Sequence, residues 1–359
     1  MSDLSIRQVG PKAAKTSIAF AIKKKRPIFL WGPPGIGKSD LVNQIGADTD
    51  RPVIDVRLAL WEPTDIKGIP YFDSNAGTMT WAPPAELPTD PKSNAILFLD
   101  ELNSAPPAVQ AAAYQLILNR KVGTYVLPDG VDIVAAGNRD GDKGVTYRMP
   151  APLANRFVHL EMKVDFEDWQ DWATLHGIHP EVVGYVGFAK QDLYDYDPKS
   201  PSKSFATPRS WSFVSDLVSD TDIDTESLTN LVSGAIGDGL AVKFMAHRKI
   251  ASKLPKPDEI LDGKVKDLEI KEISAMYSLT VGLCYELKER ADKKVEKWDA
   301  MADRFFIYMM NNFPTELVVM GAKTALTNYD LPLDASKMKS FDEFHKRFGK
   351  YVMNAMDTD

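Results

Sequence analysis

Short apolar runs alternate with longer segments of helical spacing through the first 160 or so residues of the chain. Pro27–Trp31, Pro52–Leu58, Ala95–Asp100, Val131–Ala136 and Phe157–Leu160 are brief, apolar and often β-branched. That is the pattern of strands buried on both faces of a parallel sheet. Between them Pro107–Arg120 lines up Val109, Ala112, Ala113, Leu116 and Ile117 on one stripe, the spacing of a helix. The alternation predicts an α/β fold, a parallel five-stranded sheet with helices on both faces. Two hairpin signals interrupt it. One is Ile66–Trp81, with a turn at Asn75-Ala76-Gly77; the other is Val122–Val131, with a turn at Pro128-Asp129-Gly130.

After Val164 the strand signals fade. Asp165–His176, Pro180–Leu193 and Pro208–Ser219 read as helices, Asp197–Thr207 as a loop and Leu254–Asp258 as a linker. Glu286–Lys297 is charged and reads as a solvated helical face. The expected organisation is an α/β domain over residues 1–163, an all-α domain over 164–253 and a C-terminal helical region over 254–359.

With 44% hydrophobic residues, the 359-residue chain is ordinary for a protein with a substantial core. A formal net charge of −7 argues against a broad nucleic-acid surface, which needs many Lys and Arg contacts to phosphates, though not against a local basic pore. The single cysteine, Cys284, permits no internal disulfide; on an apolar helix face it reads as a buried, inert thiol, and a reduced, cytoplasmic setting fits. The N-terminus lacks an apolar signal core, and no run approaches the ~18 apolar residues of a membrane span.

The chemistry is concentrated in Gly32-Pro33-Pro34-Gly35-Ile36-Gly37-Lys38-Ser39. The run follows an apolar strand and precedes helical spacing, the setting that makes G-x-x-x-x-G-K-[ST] a phosphate-binding loop. Backbone N–H groups and the helix start would face the phosphates of ATP. Lys38 would reach the β- and γ-phosphates and Ser39 would ligate Mg²⁺. A glycine-rich turn with a surface lysine is the plain alternative, and the flanking elements argue against it. The second element is the strand Ile96–Leu99 ending in Asp100-Glu101. At the carboxyl edge of an open α/β sheet these acids fall beside the loop. Asp100 would hold Mg²⁺ and Glu101 would orient and activate the attacking water. The third is Val134-Ala135-Ala136-Gly137-Asn138, a strand ending in a side chain able to bond the γ-phosphate or the water, or merely to cap a turn.

Taken in order, these segments resemble the AAA+ ATPases, and among them the MoxR branch, over roughly residues 5–250. Asp100-Glu101-Leu102-Asn103-Ser104-Ala105-Pro106-Pro107 is similar to the MoxR stretch DEINRAPP, and Gly144–Phe157 to GTYPLPEAQLDRF. Asp65-Ile66-x-Gly68 matches the start of that family's insert in its second helix, the Val122–Val131 hairpin falls where the family has one, and Ala206-Thr207-Pro208-Arg209 is similar to ASPR. The resemblance implies that residues 164–253 are a helical lid. It makes Asn138 sensor 1, Arg156 an arginine finger reaching a neighbouring subunit's ATP, and Arg209 sensor 2. It implies a homo-oligomeric ring, usually a hexamer, acting on a protein client with a partner that bears a von Willebrand factor A domain. Three positions depart from the family pattern: Ser104, Asn155 and Arg148 stand where Arg, Asp and Pro are usual.

Alternatives stay open on the residues. Arg156 could instead pair with an acid such as Glu161, Arg148 could share the finger role, and Arg209 could act in cis or in trans. Tyr71, Phe72 and Trp81 could meet a substrate in a pore, although packing of the hairpin on its own domain is the favoured reading. Trp169 and Trp172 read as core or interface residues rather than a base-stacking platform. The leading function is an ATPase that remodels or matures proteins. The competing ones are a nucleic-acid motor of MCM- or McrB-like type and a nucleotide-gated assembly protein without turnover. Arg120-Lys121 in the second hairpin is a thin basic allotment for a DNA pore.

Overall fold

The computed structural model describes residues 6–139, 141, 142, 146–220 and 222–357. Two compact units divide the chain. One comprises the residues up to Asp165 with Asp197–Ser200; the other comprises Phe166–Tyr196 and the residues from Pro201 onward.

In chain order the first unit runs β1 (Gln8–Val9), α1 (Pro11–Lys23), β2 (Ile28–Trp31), α2 (Lys38–Asp48), β3 (Val53–Arg57), α3 (Pro63–Lys67), β4 (Ile69–Asp73), β5 (Thr78–Ala82), β6 (Ile96–Asp100), α4 (Pro107–Asn119), β7 (Lys121–Val122), β8 (Tyr125–Val126), β9 (Asp132–Gly137), α5 (Ala151–Ala154) and β10 (Val158–Met162). Six strands form one parallel sheet in the order β1-β10-β2-β9-β6-β3. The five expected strands are present to within two residues at either end. The sixth, β1, has only two residues and too little apolar pattern to be read; it joins the edge of β10, where the Gln8 side chain donates to Glu161 at 3.0 Å. Every residue of β6 and β9 is buried, which is why they read as unbroken apolar runs.

The two ends of the sheet do different work. At the amino end of β9, buried Asp132 accepts from Arg51 at 2.7 Å and pairs with Lys25 at 3.2 Å, while Arg51 also donates to the carbonyls of Asn94, Ala95 and Gly130. This satisfied cluster locks β9 beside β6. The carboxyl end carries the polar groups described in the next subsection.

Both hairpins differ from expectation. The second is shorter and earlier than Val122–Val131: it turns at Gly123-Thr124, with Gly123 at φ +56°. Pro128-Asp129-Gly130 is a separate turn that feeds β9, closed by the Val131 amide on the Pro128 carbonyl at 3.0 Å. In the first hairpin Tyr71 pairs with Thr80 and Phe72 with Met79, but Ile69, Tyr71, Phe72 and Met79 are all at least half exposed. These side chains are left largely to solvent. The hairpin's base is anchored: Thr124 donates to the Trp81 carbonyl at 2.8 Å.

The second unit is helical: α6 (Phe166–Leu175), α7 (Pro180–Phe188), α8 (Pro208–Ser219), α9 (Thr225–Ile236), α10 (Asp238–Ala251), α11 (Pro257–Leu261), α12 (Ile273–Asp292), α13 (Trp298–Asn312), α14 (Thr315–Lys323) and α15 (Phe341–Asp357). The segment expected as the helix Pro180–Leu193 stops at Phe188 and ends in a 3₁₀ turn, Lys190–Leu193. Leu254–Asp258 is no loose linker, since Leu254 packs on the core and Pro257 opens α11. Glu286–Lys297 is not one helical face: α12 ends at Asp292, and Lys294 and Lys297 take left-handed conformations. Trp169 is buried, and Trp172 stacks on His176 at 4.9 Å. Cys284 is buried in the Phe305, Leu283 and Met309 cluster, and burial pushes its thiol up from the ordinary range.

Helices α7 and α12 meet through a glycine. A Cβ on Gly184 would lie 2.5 Å from the Ser278 Cα, so the two backbones touch where no side chain fits. Gly184→Ala should therefore destabilise this unit by about 1–3 kcal/mol, the usual cost of overpacking. Gly234→Ala, on the open face of α9, should be neutral or mildly stabilising. Urea titrations of both variants check this contrast. Next to the same contact, His247 is bonded to the Ser278 hydroxyl at 2.9 Å, and burial lowers its pKa to about 4. The unfolded chain then binds the proton first as pH falls. Stability should be unaffected above about pH 6.5 and decline from there toward pH 4, with part of the slope lost in His247→Leu, as thermal melts across that range would register.

Candidate active site

β2 delivers the chain straight into the glycine-rich loop. Gly32 is buried, and a Cβ there would lie 2.7 Å from the Ile36 side chain and 3.0 Å from the Met162 carbonyl. Its N–H donates to the Gly137 carbonyl at 3.2 Å, joining the loop to the end of β9. Gly35 and Gly37 hold φ of +75° and +89°, conformations that a side chain would strain. Gly37 is the N-cap of α2, so free amides and the positive end of the helix dipole gather at the loop. Pro33 and Ile36 are buried and Pro34 is half-buried. Lys38 folds back over the loop, its ammonium donating to the carbonyls of Gly32 at 2.7 Å and Pro33 at 2.9 Å, and to Asn138 Oδ1 at 3.2 Å.

The strand ending in two acids arrives beside it. The Ser39 hydroxyl donates to Asp100 Oδ2 at 3.0 Å, and Asp100 Oδ1 accepts the Glu101 amide at 2.8 Å. Asp100 is nearly buried. Its charge is felt across the sheet: burial, then repulsion from Asp100, raises the pKa of Asp55, with Arg57 partly offsetting both. Glu101 sits at φ +55°, a left-handed backbone rare outside glycine, and its carboxylate has no hydrogen bond or ion pair among the described residues. Ser39 and Asp100 present hard oxygens at the helix start, a donor set that suits Mg²⁺.

Asn138 is held from behind by a residue that sequence reasoning passed over. Buried Asn103 donates from Nδ2 to the Asn138 carbonyl at 2.7 Å and accepts the Asn138 amide at Oδ1, 3.2 Å away. Its own carbonyl accepts the Tyr147 amide at 2.7 Å. Gly137 leaves room for this: a Cβ there would collide with Asn103 Oδ1 and lie 2.7 Å from Phe29. The signal was an Asn three residues past an acid-terminated strand, legible only once β6 and β9 are known neighbours.

The arginines divide. Arg156 lies two residues past the end of α5, is exposed, and has no side-chain bond or ion pair among the described residues. It does not pair with Glu161, which lies 3.5 Å from Arg139 and accepts from Gln8. Arg139 is anchored chiefly by Asp142 at 3.0 Å. Arg148 and Asn155 are exposed, whereas Gly144 and Val145 of the same stretch fall outside the described residues. Arg209 lies in the second unit, exposed in the first turn of α8 beside a Thr207–Ser210 capping box.

On the ATP-hydrolysing role that the sequence motifs imply, Asn103→Ala should leave nucleotide affinity within a few-fold and slow hydrolysis by about ten- to a hundredfold, the order that ~1 Å of misplacement costs. Nucleotide titration alongside phosphate release checks this split.

Residues 27–157 match the AAA domain (dynein-related subfamily). The chain is 29% identical over 192 residues to midasin from Giardia intestinalis; the match covers 51% of this chain and 4% of that protein's length. Among solved structures, the RuvB Holliday junction branch migration motor of Thermotoga maritima aligns at 17% identity over 84% of this chain and 88% of its own, with a TM-score of 0.39. NtrX from Brucella abortus in complex with ADP aligns at 16% identity over 80% of this chain and 66% of its own, with a TM-score of 0.40. Residues 27–157, which hold the glycine-rich loop and four of the six strands of the parallel sheet, thus carry an AAA domain.

Proposed function

We propose that this protein hydrolyses ATP with Mg²⁺ as an oligomeric ring of MoxR type, and uses the cycle to remodel or mature protein partners. The observation that carries the reading is the convergence of Lys38, Asn138, Ser39 and Asp100 through hydrogen bonds of 3.0–3.2 Å at one edge of the sheet. Lys38 exchanges loop carbonyls for phosphate oxygens when nucleotide enters. Ser39 and Asp100 would hold Mg²⁺, which would neutralise charge on the β- and γ-phosphates. Glu101, close by in sequence and with no partner for its carboxylate among the described residues, orients the water and takes its proton. Asn138, steadied by Asn103, bonds the γ-phosphate or that water. Little covalent help is needed for this reaction, so placement and charge are most of the catalysis.

Arg156 completes the set from a neighbouring subunit. Its exposure and lack of a partner among the described residues suit a cation reserved for another chain's triphosphate, a contribution worth about 10³–10⁵ in rate. Arg209 serves as sensor 2 from the helical unit.

For the client, the exposed apolar side chains of the first hairpin favour polypeptide over nucleic acid. The second hairpin points the same way: Arg120 is spent inside the domain on the carbonyls of Pro128 at 2.6 Å and Val131 at 2.7 Å. A partner with a von Willebrand factor A domain delivers the client in this reading. Among the described residues no helix is long and apolar enough to cross a membrane.

Lys38→Ala should abolish tight ATP binding. Glu101→Gln should retain ATP and slow hydrolysis a hundredfold or more, the order expected for losing a general base. Near-normal affinity in the first variant or brisk turnover in the second, measured by nucleotide titration and phosphate release, would remove the reading. The ATP-loaded Glu101→Gln protein is also the trap for client and partner, and strong stimulation of the parent ATPase by DNA would favour a nucleic-acid motor instead.

A further inference from the structure

One hydrogen-bonded path runs from the phosphate loop toward the proposed finger of the same subunit. Trp31, the residue before Gly32, donates its indole N–H to His159 Nδ1 at 2.9 Å. His159 Nε2 lies 2.8 Å from the carbonyl of Ala154, the last residue of α5 and two positions before Arg156. The partners fix the roles. An indole N–H can only donate and a carbonyl can only accept, so the neutral imidazole carries its proton on Nε2. One ring therefore joins two elements that meet nowhere else in this path, the loop entry on β2 and the turn that launches Arg156.

Packing keeps the path stiff. On β2 and β10, which pair in register from Ile28 and Val158, the rings lie on one face. Trp31 and His159 lie edge to edge, centroids 6.0 Å apart and 26° from coplanar, Trp31 is tilted against Phe29 at 4.2 Å, and Phe29 meets Phe157 edge-on at 5.5 Å. The carbonyl of Ala154 also accepts the Phe157 amide at 3.1 Å, closing the turn through Asn155 and Arg156. An exposed arginine on a bare turn would sample many positions. Anchored two residues upstream, its backbone is fixed in relation to the loop of its own nucleotide site.

We propose that His159 is a positioning residue. Through Trp31 and Ala154 it couples the state of a subunit's own phosphate loop to the placement of Arg156, which acts on the neighbour. The inference rests on Arg156 being a finger in trans, and subunit mixing separates the two ideas. His159→Phe keeps an aromatic ring beside Phe29 and Phe157 and removes both hydrogen bonds. It should bind nucleotide within about threefold of the parent and lose about ten- to a hundredfold in kcat, with KM little changed. Mixed with Glu101→Gln subunits, whose fingers are intact, it should regain hydrolysis well above either variant alone, as should Arg156→Ala in the same mixture. A merely structural defect in its own site would gain nothing from a healthy neighbour. Trp31→Phe, which removes only the indole donor, should shift kcat the same way to a smaller extent and serves if His159→Phe assembles poorly. The proposal is overturned if both variants hydrolyse ATP within twofold of the parent. It is also overturned if the Arg156→Ala mixture recovers and the His159→Phe mixture does not. If neither mixture recovers, the finger assignment itself falls and the coupling with it.

Discussion

Asn103 grips the backbone of Asn138 by both its amide and its carbonyl, and much of the candidate site depends on that grip. The chain leaves β6 through Asp100 and Glu101 and leaves β9 through Gly137 and Asn138. Without a tie between those exits, the acids and the Asn side chain would sit on independent loops. With it, Asn138 is aimed at Lys38, Lys38 is folded on Gly32 and Pro33, and Gly32 returns a hydrogen bond to Gly137. The result is a closed circuit across three strand ends. Breaking a buried two-bond amide costs about 1–3 kcal/mol for each group left unsatisfied, enough to keep the circuit in one arrangement.

The same sheet is tied at its other end by Asp132, Arg51 and Lys25, and the contrast between the ends is instructive. There the charges are opposite, close and satisfied. At the carboxyl end Asp100 has a hydroxyl and an amide for partners, it disfavours charge on Asp55, and Glu101 holds an uncommon backbone conformation. Like charge and an uncommon backbone conformation at this end fit the proposed site for a cation and a polyanion.

Arg156 shows the opposite kind of incompleteness. The cation Arg139, itself partly exposed, finds its partners at home in Asp142 and Glu161. Arg156 is fixed through its backbone turn and has no side-chain partner among the described residues. In the proposed ring, a fixed backbone under a head group with no partner among the described residues presents charge to a second chain with much of the ordering cost already met.

Periodicity and local turn chemistry made the five main strands, α4 and α8 legible, because those features depend on neighbours a few residues apart. The phosphate loop was legible for the same reason: strand, three glycines, lysine and helix are contiguous. β1 was not, since two residues have no pattern and its pairing is decided by an edge of β10 more than 150 residues away. The second hairpin was misplaced because Pro128-Asp129-Gly130 is a strong turn signal that serves β9 instead. Exposure of Tyr71 and Phe72 could not be read from their apolar character, which says what a residue prefers and not whether a surface is there to cover it. By itself, then, the sequence determined which residues would gather at one sheet edge, through motifs whose chemistry is local. Only the tertiary structure decided how they are held. Asn103, Gly137 and His159 act through hydrogen bonds or close contacts between strands or turns distant in the chain, and such contacts leave no periodic trace.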